Sequence, residues 1–204
     1  YESLHDGGYD IDFVGSETEN SSGLAEPDHE GHDGWQADEI RDAVYGWLDA
    51  QPAEIVLLHI GTNDIRKGQG ADGTALEIGE ILDRIDAWEN ANSADVWVIL
   101  ALIINRSDPA SSLGLETSAL NDQLQELADA RIADGDKLIL VDMESKLDYP
   151  GDLDDALHPN ASGYEKMAAI WYTALNSFLP TYCSDDPSDT TTTTTTQPTT
   201  TTTT

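Results

Sequence analysis

Three apolar runs of strand length constrain this chain most: residues 54–60 (EIVLLHI), 96–102 (VWVILAL) and 138–141 (LILV). Their apolarity is continuous rather than alternating, which marks strands covered on both faces, as in a parallel sheet. Between and after them, apolar residues recur at helical spacing. Ile40, Val44, Trp47 and Leu48 form one stripe, and Ile78, Ile81, Leu82, Ile85 and Trp88 a second. Leu120, Leu124, Leu127 and Ile132 form a third, and Met167, Trp171, Leu175 and Phe178 a fourth. Ahead of all these, Tyr9, Ile11 and Phe13 alternate with Asp10 and Asp12, which predicts a strand over residues 10–14 ended by Gly15. The order β-α-β-α-β-α-β-α predicts an α/β fold. It is a three-layer α/β/α sandwich on a parallel sheet, because each crossover must be right-handed and helices then cover both faces.

Residues 1–180 carry this pattern and read as one domain. Residues 181–204 do not: seven threonines, Gln197-Pro198 and six more threonines offer nothing apolar to bury, so a disordered Thr-rich linker is expected. The chain ends inside that tract, which suggests a further module beyond it. Ser/Thr-rich stretches with proline suit glycosylated stalks, so a secreted, extracellular protein is expected. Asn20-Ser21-Ser22, Asn105-Arg106-Ser107 and Asn160-Ala161-Ser162 match the N-glycosylation pattern, a weak signal. The single cysteine, Cys183, has no internal disulfide partner. No run of eighteen apolar residues occurs, so no membrane span is expected. Forty acidic residues against nine basic ones give a formal charge of −31, which repels phosphate backbones and excludes nucleic acid as a partner. Only four lysines remain (Lys67, Lys137, Lys146, Lys166), as adaptation to high salt would produce; solubility of an acidic surface accounts for the charge equally well.

Ligands bind an open α/β sheet at the carboxyl ends of its strands. Three polar segments fall at strand ends or just before helices: residues 28–35 (DHEGHDGW), 59–64 (HIGTND) and 155–159 (DALHP). In the last, Asp155 stands three residues before His158, close enough for the carboxylate to orient the imidazole as a general base. Taken alone, Asp-x-x-His is common, and an ordinary surface loop explains it as well. In the second segment, Gly61 permits a tight turn after a buried strand, and Asn63 then projects an amide donor over the strand end, where an oxyanion could be held. An Asx-type turn that only ends the strand is the plain alternative. The first segment places Gly31 and Gly34 before a helix starting near Trp35, where backbone N–H groups can meet an anion. Its His-x-x-His spacing is not the His-Glu-x-x-His zinc pattern, so no metal is expected.

Together the three segments resemble the SGNH (GDSL-type) hydrolase superfamily, whose blocks run Gly-Asp-Ser, a glycine block, Gly-x-Asn-Asp, then Asp-x-x-His. Here Gly34, Gly61-Thr62-Asn63-Asp64 and Asp155 with His158 match the last three, in order, over residues 1–180. The phrases YDIDFVGS and DHEGHDGW look like carbohydrate esterase family three, the acetyl xylan esterase type. The resemblance implies a flavodoxin-like sheet and roles for each residue. His158 is the base and Asp155 its orienting partner. The Gly34 N–H and the Asn63 amide form the oxyanion hole, while Gly61 and Asp64 shape the turn. No cofactor is implied.

One block has no counterpart: Gly-Asp-Ser does not occur. In the family it precedes the strand expected at residues 10–14 by one helix, and a β-α-β unit takes about thirty residues. The expectation is therefore a chain that begins one strand late, without its nucleophile. The function implied is removal of acyl groups, acetyl above all, from plant cell-wall polysaccharide or a small-molecule ester. The alternatives are a lipid or thioester hydrolase on the same fold, and a non-catalytic carbohydrate-binding protein that has lost its serine.

Overall fold

The computed structural model describes residues 2–18, 23–177 and 179. The Thr-rich tract, Cys183, Phe178 and the first glycosylation pattern lie outside these. The elements run α1 (Glu2–Asp6), α2 (Ala37–Ala50), β1 (Ile55–Leu58), α3 (Thr62–Lys67), α4 (Ala71–Asn92), β2 (Trp97–Leu102), α5 (Ser112–Asp134), β3 (Leu138–Asp142) and α6 (Ala161–Asn176).

The three strands form a parallel sheet in the order β1-β2-β3. Ile55 pairs with Trp97 and Leu58 with Leu100, while Val98 pairs with Leu138 and Leu102 with Asp142. Side chains alternate across this sheet. Leu58, Val98, Leu100 and Leu138 face a core built with α2, α4 and α5. Ile99, Ala101 and Val141 face a second core, closed by Ala174 and Leu175 of α6 together with Leu4 and Tyr9. The strands are apolar throughout because both faces are covered. These are the three layers that the sequence predicts. Ile99 and Leu100 are fully buried, and truncating either to alanine should cost about 2–5 kcal/mol. In α4 the stripe Ile78, Ile81, Leu82 and Ile85 is wholly buried against the first core, as its spacing requires. Ile132, read in the α5 stripe, is exposed on the last turn. Among the described residues no helix is long and apolar enough to cross a membrane.

The strand predicted over residues 10–14 is not formed. Tyr9 is buried and Asp10 and Asp12 are exposed, so the one-sided pattern is real. Tyr9 and Ile11 pack on the second core, and the Tyr9 hydroxyl donates to Asn176 Oδ1 at 2.6 Å. Among the described residues the segment nonetheless joins no ladder; an isolated antiparallel bridge forms further on, between Glu17 and His29. Alternation reports which face of a segment is buried, whereas a strand also needs a neighbour to pair with.

Candidate active site

The loop that carries Asp155 and His158 is anchored from below. Asp152 is buried, and its carboxylate accepts the Asp148 N–H at 2.6 Å, the Ser162 hydroxyl at 2.9 Å and the Lys166 ammonium. These contacts, the Asp148 amide first and Lys166 next, hold its carboxyl down at about 2. The ends of the loop are clamped by a bridge between Leu153 and Pro159 and by the Asp154 N–H donating to the His158 carbonyl at 2.8 Å. Asn160 caps α6, its Oδ1 accepting the Gly163 N–H at 3.1 Å.

On this platform Asp155 and His158 come together. Asp155 Oδ2 lies 2.8 Å from His158 Nδ1, and Oδ1 accepts the N–H groups of Leu157 at 2.7 Å and His158 at 2.8 Å. The hydrogen bond to the His158 ring, then the two backbone N–H groups, hold the Asp155 carboxyl at about 2. Both side chains are mostly exposed. With Nδ1 on the carboxylate, Nε2 is left to take a proton from a hydroxyl.

The second group sits at the carboxyl end of β1. Gly61 has a φ of 121°, and a Cβ there would lie 2.8 Å from Leu120 Cδ2, so only glycine makes this turn. It starts α3, which presents Asn63 and Asp64. Three contacts then hold the glycine segment before α2. The Asn63 amide donates to the Trp35 carbonyl at 2.9 Å, Lys67 donates to the Gly34 carbonyl at 3.0 Å, and Asp64 accepts the Ala37 N–H at 2.9 Å. Asp64 is fully buried, which raises its pKa. Gly34 takes a φ of 78°, a left-handed conformation that suits glycine. The structure thus ties α3 to the glycine segment, through Asn63 to Trp35 and through Lys67 to Gly34, and joins Asp155 to His158. The His158 loop is also tied to the exit of β2, where the Ser107 N–H donates to the Ala156 carbonyl at 3.1 Å.

The histidine-rich segment is used for packing. His32 stacks on Trp35 at 4.1 Å and on Trp47 at 4.9 Å, and its Nε2 lies 2.7 Å from Glu30 Oε1. Ser16 gives its hydroxyl to Glu30 at 2.7 Å. At the end of β1, burial pushes the His59 imidazole down to about 4, so it stays neutral.

Sequence reasoning missed a polar network beyond β2 and β3. Asn105 is buried, and its amide donates to Glu144 Oε1 at 2.7 Å and Ser118 Oγ at 2.9 Å. Asn121 donates to Glu144 Oε2 at 2.8 Å. Burial pushes the Tyr149 phenol up to about 12, and its hydroxyl accepts the Asn105 N–H at 2.8 Å. These residues border an open cleft of about 460 Å³. An Asn105 amide so engaged is no glycosylation acceptor in the folded chain.

Comparison with known proteins places the chain. Residues 11–166 match the GDSL-like lipase/acylhydrolase family. A multidomain esterase of Ruminococcus flavefaciens is 26% identical over 209 residues, which cover 92% of this chain and 26% of that protein. The chain thus spans about a quarter of that relative's length. Among solved structures, a family 3 carbohydrate esterase of Clostridium thermocellum superposes with a TM-score of 0.74 at 27% identity, over 87% of this chain and 83% of that one. A carbohydrate esterase family 3 structure from Talaromyces cellulolyticus gives 0.75 at 27% identity, over 86% of each chain. With more than three quarters of its residues inside the family match, the chain belongs to the GDSL-like lipase/acylhydrolase family.

Proposed function

We propose that this domain hydrolyses carboxylic esters, and that its substrates are acetyl groups on plant cell-wall polysaccharide outside the cell. The observation that carries the reading is the Asp155–His158 pair, with its carboxylate locked on ring and backbone and Nε2 left open. In the proposed reaction a serine Oγ attacks the ester carbonyl while His158 Nε2 takes its proton. The Gly34 N–H and Asn63 amide hold the oxyanion. The tetrahedral intermediate expels the sugar hydroxyl, which leaves with the proton from His158, and water then releases the acid from the acyl-enzyme by the same route. Asp155 orients the ring and stabilises the imidazolium throughout.

The preference for polysaccharide rests on the esterase relatives named above. The extracellular setting rests on the Thr-rich tract. Because residues 1–204 offer no Gly-Asp-Ser, the test uses protein made from the whole natural reading frame. It should release acetate from p-nitrophenyl acetate and acetylated xylo-oligosaccharides, and His158→Ala should abolish both. The missing block favours one second reading, a carbohydrate-binding domain without turnover. Sugar binding with no acetate release from that protein would establish it.

A further inference from the structure

Arg106 is the anomaly of this molecule. Its Nε and Nη2 are buried and have no hydrogen-bond partner among the described residues. Buried polar groups are normally satisfied, and a cation more strictly than most. The chain does not lack acids, with forty against nine bases. Four of the other bases meet carboxylates. Arg131 bonds Asp83, Asp86 and Asp136, Arg41 bonds Asp42 and Glu80, Lys137 meets Asp95 and Lys166 meets Asp152. Arg106 follows β2 and Arg66 lies on α3 behind the neighbouring strand β1, so the two cations stand at the same carboxyl edge of the sheet. Burial first, and the charge of Arg66 second, hold its guanidinium below the ordinary arginine value.

The position of this pair gives it meaning. Arg66 donates through Nη2 to Asn63 Oδ1 at 3.2 Å, so it stands beside the proposed oxyanion donor. Arg106 precedes Ser107, whose N–H docks the His158 loop through the Ala156 carbonyl at 3.1 Å. We infer that Arg106 and Arg66 form a carboxylate subsite between the Asn63 turn and the His158 loop, an inference that rests on the ester-hydrolase reading. Two like charges at one edge of the sheet, one of them desolvated, would be relieved by an anion. The planar guanidinium fork matches a carboxylate in two parallel hydrogen bonds. Arg106 as a residue is partly exposed, and its buried fork would have to rotate to meet a ligand. The carboxylate has two chemical sources: the acid released by ester cleavage, or a uronic acid unit carried by the polysaccharide.

Titration calorimetry with acetate and with glucuronate, at fixed ionic strength, tests this on protein made from the whole natural reading frame. Wild type should bind a carboxylate despite its net negative charge, and Arg106→Gln should weaken that binding at least tenfold, with Arg106→Lys in between. Tighter binding of acetate assigns the subsite to the product. Tighter binding of glucuronate assigns it to the substrate, and kcat/KM on a uronate-bearing acetylated oligosaccharide should then exceed that on its neutral counterpart, a gap that Arg106→Gln removes. If Arg106→Gln does not fold, the exposed Arg66→Gln provides the same comparison. Failure of both carboxylates to bind, or binding unchanged in the arginine variants, overturns the subsite. Binding is read without turnover, so a protein that binds carboxylate yet cleaves no ester refutes the esterase reading instead.

Discussion

Asp155 grips His158 at two points: Oδ2 meets the imidazole Nδ1 at 2.8 Å and Oδ1 accepts the His158 backbone N–H at 2.8 Å. One carboxylate therefore sets both the ring's tautomer and the loop that carries it. Such a clamp fixes an imidazole without burying it, as the proposed polysaccharide substrate would require.

Replacing that carboxylate tests the clamp. Asp155 is held at about 2, below its usual value of 3.8, so it stays ionised across any practical assay range and protonates only as the pH falls through 2. Asp155→Asn should therefore lower kcat at every pH from 5 to 9, by as much as His158→Ala or less. A pH–rate profile of the variant in the full-frame protein checks this. A variant that keeps its plateau and loses only one limb would contradict it.

Asn63→Ala should lower kcat about a hundredfold with KM little changed, as loss of one oxyanion donor does. The amide also donates to the Trp35 carbonyl, so a melting curve must accompany the kinetics. A rise in KM at constant kcat would make Asn63 a substrate-binding group.

Asp152→Asn should destabilise the fold in a pH-dependent way. Its carboxyl is depressed from 3.8 to about 2 in the folded chain, so its contribution is fully present above pH 4 and is lost as pH falls through 2. Thermal melts at pH 7 should show the variant below wild type, and the gap should close between pH 4 and pH 2. A constant gap would locate the effect in packing rather than in the charge.

If the net charge of −31 is an adaptation to salt, thermal stability should rise steeply from low to molar sodium chloride, as screening removes self-repulsion. A flat response would reduce the acidity to a solubility device.

The sequence made local features legible and distant ones opaque. β2 and the α4 stripe followed from residue spacing, because the burial of Ile99 or Ile81 depends on periodicity alone. Asp155 and His158 were visible because they are three residues apart on one loop. Residues 10–14 misled because pairing is a property of two segments, and among the described residues that one is paired with no strand. Arg106 drew notice only as the middle of a glycosylation pattern, and its lack of a carboxylate emerged from separate elements folding together. The contact between Asn105 and Glu144 spans 39 positions of sequence, beyond the reach of any spacing rule.

The most direct measurement is acetate release from an acetylated xylo-oligosaccharide by protein made from the whole natural reading frame, beside its His158→Ala variant and the chain of residues 1–204 alone. The expected result is steady turnover by the first, a loss of several orders of magnitude in the second, and none in the third, where His158 has no Gly-Asp-Ser hydroxyl to activate. Turnover by His158→Ala at the wild-type rate would contradict the assignment of His158 as the base. Serine-type turnover by residues 1–204 alone would mean that another hydroxyl, such as that of Ser16, serves as the nucleophile.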